Sequence, residues 1–204
     1  MTLSKHNVTR RRLIKAAGGF AALGNIGILP PTALAQGVQT DKPDRLRAGA
    51  TVGLVTPASN VPENEDLLAA MDLVRSLGFE AKAAPNLRQR KQYLAGSDQQ
   101  RADDLNGMFA DDEVDAIFCV RGGYGSGRLL RDLDYQTIAN NPKILMGYSD
   151  ITAILNAINV KTGMVTYHGP IAGDNFSSYT YEQFQQILMP VSYTHLRAHE
   201  TPRY

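Results

Sequence analysis

Residues 115–125 read DAIFCVRGGYG, and residues 143–155 read KILMGYSDITAIL. In each stretch a short apolar run of strand length ends in glycine, and the second continues into Ile151, Ile154 and Leu155 at helical spacing. Strands that are apolar throughout and lead into amphipathic helices are typical of a parallel sheet covered on both faces. These two stretches therefore predict an α/β fold.

The flanking sequence continues the alternation of strand and helix, with a polar loop at 86–96 and no repeat of fixed period. Strands are predicted at 51–56, 79–83, 115–120, 143–146 and 164–167. Helices are predicted at 63–77, 97–110, 126–133, 135–140, from 149 to about 158, and at 181–189. We expect a flavodoxin-like parallel sheet with helices on both faces.

The composition limits the classes of partner. The 204 residues are 43% hydrophobic, and the formal net charge is +1. Residues 1–35 hold five basic and no acidic side chains, which leaves 16 basic against 20 acidic residues, a net charge of −4, for the remainder. A mildly acidic body without a basic stripe argues against nucleic acid as a partner. The single cysteine, Cys119, excludes an internal disulfide and is predicted to be a core residue.

Residues 1–35 have the layout of a secretory signal. Three arginines at 10–12 precede a weakly apolar run at 16–29, and Ala-Leu-Ala at 33–35 fits a signal-peptidase site. The paired arginines resemble the twin-arginine type, so we expect the export machinery as a partner and a periplasmic location. A membrane span would need about 20 strongly apolar residues. A buried helix is disfavoured by the glycines at 18, 19 and 24 of the run. A linker is then expected at 36–46 and a domain at 47–190.

The turn Gly147-Tyr148-Ser149-Asp150 lies between a predicted strand and a predicted helix, as in a nucleophile elbow. The N–H of Asp150, at the helix start, would point to where an oxyanion forms. The second glycine of G-x-S-x-G is missing, so an ordinary N-cap role for Ser149 stays open.

A glycine-rich loop follows the preceding strand. Residues 122–127 (GGYGSG) could hold an anion with backbone N–H groups, although an ordinary strand-to-helix turn explains them equally well. The glycine spacing does not fit a dinucleotide fingerprint. Arg121 and Arg128 could bind a substrate carboxylate, although a solvated arginine is commoner. Both loops should meet at the carboxyl edge of the sheet, where ligands bind in such folds.

Three blocks together resemble a known family: FCVRGGYGS at 118–126, KILMGYSDIT at 143–152 and HGP at 168–170. They look like the LD-carboxypeptidases, serine peptidases of peptidoglycan turnover that are related to the microcin immunity hydrolases. The resemblance runs from about residue 47 to 174. It implies the N-terminal domain of a two-domain enzyme that uses neither a metal nor another cofactor and often forms homodimers.

The resemblance also implies roles for individual residues. Ser149 matches the nucleophile, which attacks the amide between an L-centre, usually of diaminopimelate, and a terminal D-alanine of a muropeptide. The N–H of Asp150 and that of Gly122 or Gly123 match the oxyanion hole. Arg121 and Tyr124, in the same loop block, are expected to contact the substrate.

The general base is expected to lie outside this sequence. The family takes its catalytic histidine and glutamate from a C-terminal domain, which we expect to be absent here, leaving the chain inactive alone. His168 does not match that histidine and is predicted to be structural or to line the cleft. Residues 191–204 contain His195, His199 and Glu200 at spacings that imitate a metal or base site. The abrupt change of composition there resembles adapter read-through, so we expect a non-native tail.

Two other functions remain open. One is an immunity-type hydrolase that cuts a peptide–nucleotide amide, which the export signal disfavours. The other is an exported binding module without chemistry.

Overall fold

The computed structural model describes residues 40–190. Five parallel strands form one sheet in the order β2-β1-β3-β4-β5. The strands are β1 (Thr51–Val55), β2 (Glu80–Ala83), β3 (Ala116–Cys119), β4 (Ile144–Gly147) and β5 (Tyr167–His168). This is the flavodoxin-like order, so the predicted fold class is confirmed.

Helices connect the strands. The α-helices are α1 (Asn64–Ser76), α2 (Asp98–Ala110), α3 (Tyr135–Asn140), α4 (Thr152–Thr162) and α5 (Ser178–Leu188). Two 3-10 helices, Ser126–Arg131 and Ser149–Ile151, follow the two loops singled out in the sequence. Local signals set the helix ends. Ser97 and Gln100 form a capping box that starts α2, and Gly163 ends α4 at a φ of 76°.

The core lies on both sides of the three central strands, whose residues are almost all buried. Helix α5 packs through Phe184, whose ring contacts the rings of Phe79, Phe118 and Phe176. The strand order reverses at β1. Because crossovers between parallel strands are right-handed as a rule, the helices that follow β1 and β2 are expected in opposite layers. The carboxyl ends of β1 and β3 therefore border a crevice.

Two edge strands differ from the sequence prediction. β2 is EAKA and partly exposed rather than apolar throughout, and Lys82 pairs with Asp111 and Glu113. β5 is shorter and later than predicted, because Met164 forms an isolated bridge with Asp41 instead of joining it. An edge strand is hydrogen-bonded to a neighbouring strand on one side only. The hydrophobic pattern of its sequence therefore specifies its position and register weakly.

The boundaries of the other elements agree with prediction to within four residues, and the largest difference is the end of α4 at residue 162 rather than about 158. Helix α5 begins at residue 178 rather than 181, because the Ser177 hydroxyl accepts a hydrogen bond from the N–H of Thr180 at 3.1 Å. The predicted signal peptide at 1–35, residues 36–39 of the predicted linker and the tail at 191–204 lie outside the described residues. Within residues 40–190 the structure has no helix with the length and apolarity needed to cross a membrane.

Candidate functional site

Three loops meet at the carboxyl edge of the sheet, after β1, β3 and β4. Ser59, after β1, donates its N–H to the carbonyl of Gly122 at 3.1 Å. The hydroxyl of Ser59 accepts from the N–H of Tyr124, also at 3.1 Å. The glycine-rich loop is therefore tied to the loop beside it, at the crevice where flavodoxin-like folds bind ligands.

Ser149 occupies a strained turn directly after β4. Its φ is 60°, in the left-handed region that costs a non-glycine residue about 1–2 kcal/mol. Tyr148 before it is extended, and a 3-10 helix begins at Ser149 itself. The side chain is exposed, and its hydroxyl makes no hydrogen bond within residues 40–190. Ser149 therefore has elbow geometry, and the simple N-cap alternative is wrong.

Two glycines make room for this turn. A Cβ on Gly147 would lie 2.9 Å from Cγ2 of Ile151 and 3.2 Å from Cβ of Cys119. A Cβ on Gly122 would lie 3.2 Å from Cβ of Ser149 and 3.4 Å from the carbonyl oxygen of Tyr148. Ile151 stands where G-x-S-x-G has its second glycine and is buried. The close approach is instead provided by Gly122 from the neighbouring loop.

Gly122 and the residues next to it in the chain bring backbone N–H groups to the neighbourhood of the Ser149 turn. The Cβ position of Gly122 is 3.5 Å from Oγ of Ser149. In the described part of the chain, no acceptor is bonded to the N–H groups of Gly122, Gly123 or Asp150. Gly123 has a φ of 101°, and a Cβ there would lie 2.3 Å from Oγ of Ser59. Free N–H groups at a helix start can bind a negatively charged oxygen.

The side chain of Asp150 joins the turn to the glycine-rich loop, a contact that the sequence did not reveal. Its Oδ2 accepts from the N–H of Ser126 at 2.7 Å. The Ser126 hydroxyl donates to the Asp150 carbonyl oxygen, and Ser126 is fully buried. Asp150 thus fixes the two loops relative to each other, in addition to offering its own N–H.

Arg121 is exposed and lies on the wall of a cavity of about 630 Å³ between α1 and residues 171–176. Ser149 does not line this cavity. The hydroxyl of Tyr148 donates to Oδ1 of Asp174, on the cavity wall, at 3.3 Å. The negative charge of Asp174 raises the pKa of Tyr148. The serine turn and the cavity are therefore neighbours, connected through Tyr148 and Asp174.

The remaining sequence candidates lie at the rim. Tyr124 is 69% exposed, with its ring centroid 6.4 Å from that of Tyr93. Arg128 pairs with Asp98 at 2.7 Å, so its charge already has a carboxylate partner within the protein. His168 is exposed in β5, with its ring 6.4 Å from that of Tyr148, and is not hydrogen-bonded to the serine. His195, His199 and Glu200 lie outside the described residues.

Cys119 is fully buried at the end of β3, and desolvation raises the pKa of its thiol to about 12. Because the thiolate is the reactive form, we expect the native protein to resist alkylation by iodoacetamide at pH 8. The same thiol should react readily in denaturant. Full labelling of the folded protein, measured by intact mass, would contradict this prediction.

Residues 40–190 hold no cluster of three histidine, cysteine, aspartate or glutamate side chains that could bind a metal ion.

Comparison with known proteins gives a consistent set of relatives. The sequence model of the LD-carboxypeptidase N-terminal domain matches residues 52–169. The probable murein peptide carboxypeptidase of Bacillus subtilis is 39% identical over 159 residues, covering 76% of this chain and 50% of that protein. The murein tetrapeptide carboxypeptidase of Pseudomonas aeruginosa is 34% identical over 158 residues, covering 74% and 51%.

The fold is also found in a solved structure. The microcin C7 self-immunity protein MccF in complex with aspartyl sulfamoyl adenosine aligns with a TM-score of 0.69 at 30% identity, covering 73% of this chain and 47% of that chain. The MccF sequence of Escherichia coli is 32% identical over 152 residues, covering 70% and 44%. The chain spans about half the length of the curated relatives it matches.

Proposed function

Because the chain belongs to the LD-carboxypeptidase family, we propose that it is the nucleophile-bearing part of a serine peptidase that releases terminal D-alanine from peptidoglycan tetrapeptides. The observation that carries this proposal is the left-handed backbone of Ser149, which presents an exposed hydroxyl beside free backbone N–H groups. Strain of this kind persists where the surrounding structure enforces it, and it is concentrated at active sites.

In the proposed reaction, Oγ of Ser149 attacks the carbonyl carbon of the scissile amide and gives up its proton to a base. The carbonyl oxygen becomes negatively charged and accepts hydrogen bonds from the N–H of Asp150 and that of Gly122 or Gly123. When the C–N bond breaks, the proton passes to the amine of D-alanine, which leaves. Water then hydrolyses the acyl-enzyme and regenerates the serine.

We propose that the base comes from the region of the family's proteins that this chain does not cover. A serine hydroxyl needs a positioned base to become a good nucleophile. His168 is exposed and close to Tyr148, but among residues 40–190 it makes no hydrogen bond to the hydroxyl of Ser149. A histidine and its orienting glutamate from a second domain would complete the site.

The substrate is an anion, because the leaving residue carries a free carboxylate. Arg121 is the exposed cation that follows β3, one residue before Gly122. We propose that Arg121 binds the terminal carboxylate and that Tyr124, exposed at the rim, contacts the peptide. We further propose that the signal at residues 1–35 directs export to the periplasm, where such muropeptides occur. The protein is proposed to form a homodimer.

The test is release of D-alanine from a purified tetrapeptide by the full-length protein, measured by chromatography. We expect the tripeptide and D-alanine in equal amounts. A tetrapeptide ending in L-alanine is the matched control and should remain uncut. Equal cleavage of both peptides, or of neither, would overturn the proposed substrate.

A second candidate is an immunity-type amide hydrolase, favoured by the TM-score of 0.69 to MccF. The same assay distinguishes it if an aminoacyl sulfamoyl adenosine is offered as a competing substrate. Cleavage of that compound without D-alanine release would favour the second candidate.

A further inference from the structure

The peptide bond between Gly125 and Ser126 lies between two opposite charges. Its carbonyl oxygen accepts from Nη1 of Arg101 at 3.0 Å. Its N–H donates to Oδ2 of Asp150 at 2.7 Å. Both polar groups of one peptide unit are thus bonded to charged side chains, one from α2 and one from the residue after Ser149. Hydrogen bonds of this charge-assisted kind are about twice as strong as neutral ones.

Arg101 is an unusual residue for the interior of a helix layer, because only 1% of its surface is exposed. Nη1 also donates to the carbonyl of Pro57 at 2.6 Å, and Nη2 pairs with Asp98. Arg101 therefore ties the loop after β1 to the loop after β3. Burial lowers the pKa of Arg101, whereas the negative charges of Asp98 and, to a smaller extent, Asp150 raise it.

Stability alone does not account for this arginine. Its Nε–H is buried and has no acceptor among residues 40–190. A buried donor without a partner costs about 1–3 kcal/mol. Well-packed apolar residues often replace buried ion pairs with no loss of stability. The position is better explained by what the guanidinium holds in place.

The backbone is shaped to accept the guanidinium. Gly125 has a φ of 108°, and a Cβ there would lie 2.5 Å from Cδ2 of Leu94 and 3.4 Å from Nη1 of Arg101. Glycine is therefore required at this position for both its conformation and its size. The loop carrying Gly122 and Gly123 is then fixed at its far end by this peptide, and at its near end by Ser59.

We propose that Arg101 and Asp150 are a pair of positioning residues that act through the Gly125–Ser126 peptide to hold the glycine-rich loop against Ser149. This inference rests on the proposed function, in which N–H groups of that loop bind the oxyanion. The two charges polarise the peptide between them, so each strengthens the hydrogen bond made by the other. Neither side chain needs to touch the substrate.

The kinetic test uses Arg101→Met, Asp150→Asn and the double variant in the full-length protein. We expect kcat for D-alanine release to fall about 10- to 100-fold in each single variant, with KM changed less than about threefold, because oxyanion contacts form mainly in the transition state. Since the pair acts through one peptide, kcat of the double variant should be about equal to kcat of the slower single variant. Effects that multiply, or a change confined to KM, would contradict the proposal.

Arg101→Lys and Arg131→Met are the matched comparisons. Lysine retains the charge and a donor, so part of kcat should return. Arg131 is exposed in the 3-10 helix that follows the peptide, so its removal should leave kcat unchanged. Thermal unfolding of each variant identifies any that fail to fold, and Arg101→Lys then carries the test.

A second measurement is independent of turnover. In the 204-residue chain, the amide proton of Ser126 should resonate far downfield by NMR, because it donates to a carboxylate. Arg101→Lys or Arg101→Met should move this resonance upfield although Arg101 does not touch that proton, and Arg131→Met should not. An unchanged Ser126 resonance would overturn the coupling. If the resonance shifts but the wild-type protein releases no D-alanine, the proposed function fails and the coupling stands.

Discussion

Replacing Ser149 by alanine is expected to abolish both labelling by a fluorophosphonate probe and D-alanine release in the full-length protein. The probe forms a covalent bond only with an activated serine hydroxyl, and alanine has none. Loss of the nucleophile of a serine hydrolase lowers kcat by about 10³-fold or more. Because Ser149 is exposed and its hydroxyl has no bonded partner within residues 40–190, the folded structure should be unaffected. Relief of the unfavourable φ is not expected, since alanine is as strained there as serine.

Ser177→Ala is the matched control. Ser177 caps α5 through the N–H of Thr180, so its loss should lower the free energy of unfolding by about 1 kcal/mol. Labelling and turnover should remain at the wild-type level. If the probe labelled Ser149→Ala as fully as Ser177→Ala, Ser149 would not be the nucleophile. Mass spectrometry of the labelled peptide would then identify the serine that is.

The central part of the sheet could be predicted from the sequence because its signals are local. The runs at 116–119 and 144–147 are apolar throughout, and the structure buries every residue of both. Ser97 and Gln100 stand at capping-box spacing, and α2 begins there. Each of these elements is specified by residues that are neighbours in the chain.

The edges and the inner side of the candidate site could not be predicted in the same way. β5 depends on which residue of the 164–168 segment pairs with Gly147, and Met164 pairs with Asp41 instead. Arg101 is a charged residue in a helix, and the hydrophobic pattern of the sequence alone would place it on the solvated face. In the structure it is buried. Its acceptor Gly125 is 24 residues away, as Asp150 is from Ser126. Such contacts depend on tertiary packing.

Strained geometry at Ser149 is also a tertiary property. The sequence offered a glycine two residues before the serine, which fits an elbow and an ordinary helix start equally well. The structure distinguishes them, because Gly122 from the loop after β3 packs against Ser149. The glycine that gives the serine its space is thus 27 positions earlier in the chain. This explains why the missing second glycine of the motif is no obstacle to the turn.

Gly122→Ala should therefore lower kcat without removing any chemical group. The new methyl carbon would lie 3.2 Å from Cβ of Ser149, 3.5 Å from its Oγ and 3.4 Å from the carbonyl oxygen of Tyr148. The contact with Cβ of Ser149 is tight and the other two are at ordinary van der Waals distance, so the serine or the loop must move by a few tenths of an ångström. A displacement of 1 Å can cost about 100-fold in rate, so we expect kcat to fall about 10- to 100-fold. Overpacking should also cost about 1 kcal/mol of folding stability.

Gly107→Ala is the control that separates this effect from glycine replacement in general. Gly107 is exposed in the middle of α2, and a Cβ there meets no atom within 4 Å. Alanine should stabilise the helix by about 0.5–1 kcal/mol and leave kcat unchanged. Because the two substitutions add the same methyl group, a difference in kcat between them must come from the contacts of the new methyl group with Ser149 and Tyr148. Wild-type turnover in Gly122→Ala would mean that the serine tolerates displacement, and the fixed geometry proposed for the oxyanion hole would then be wrong.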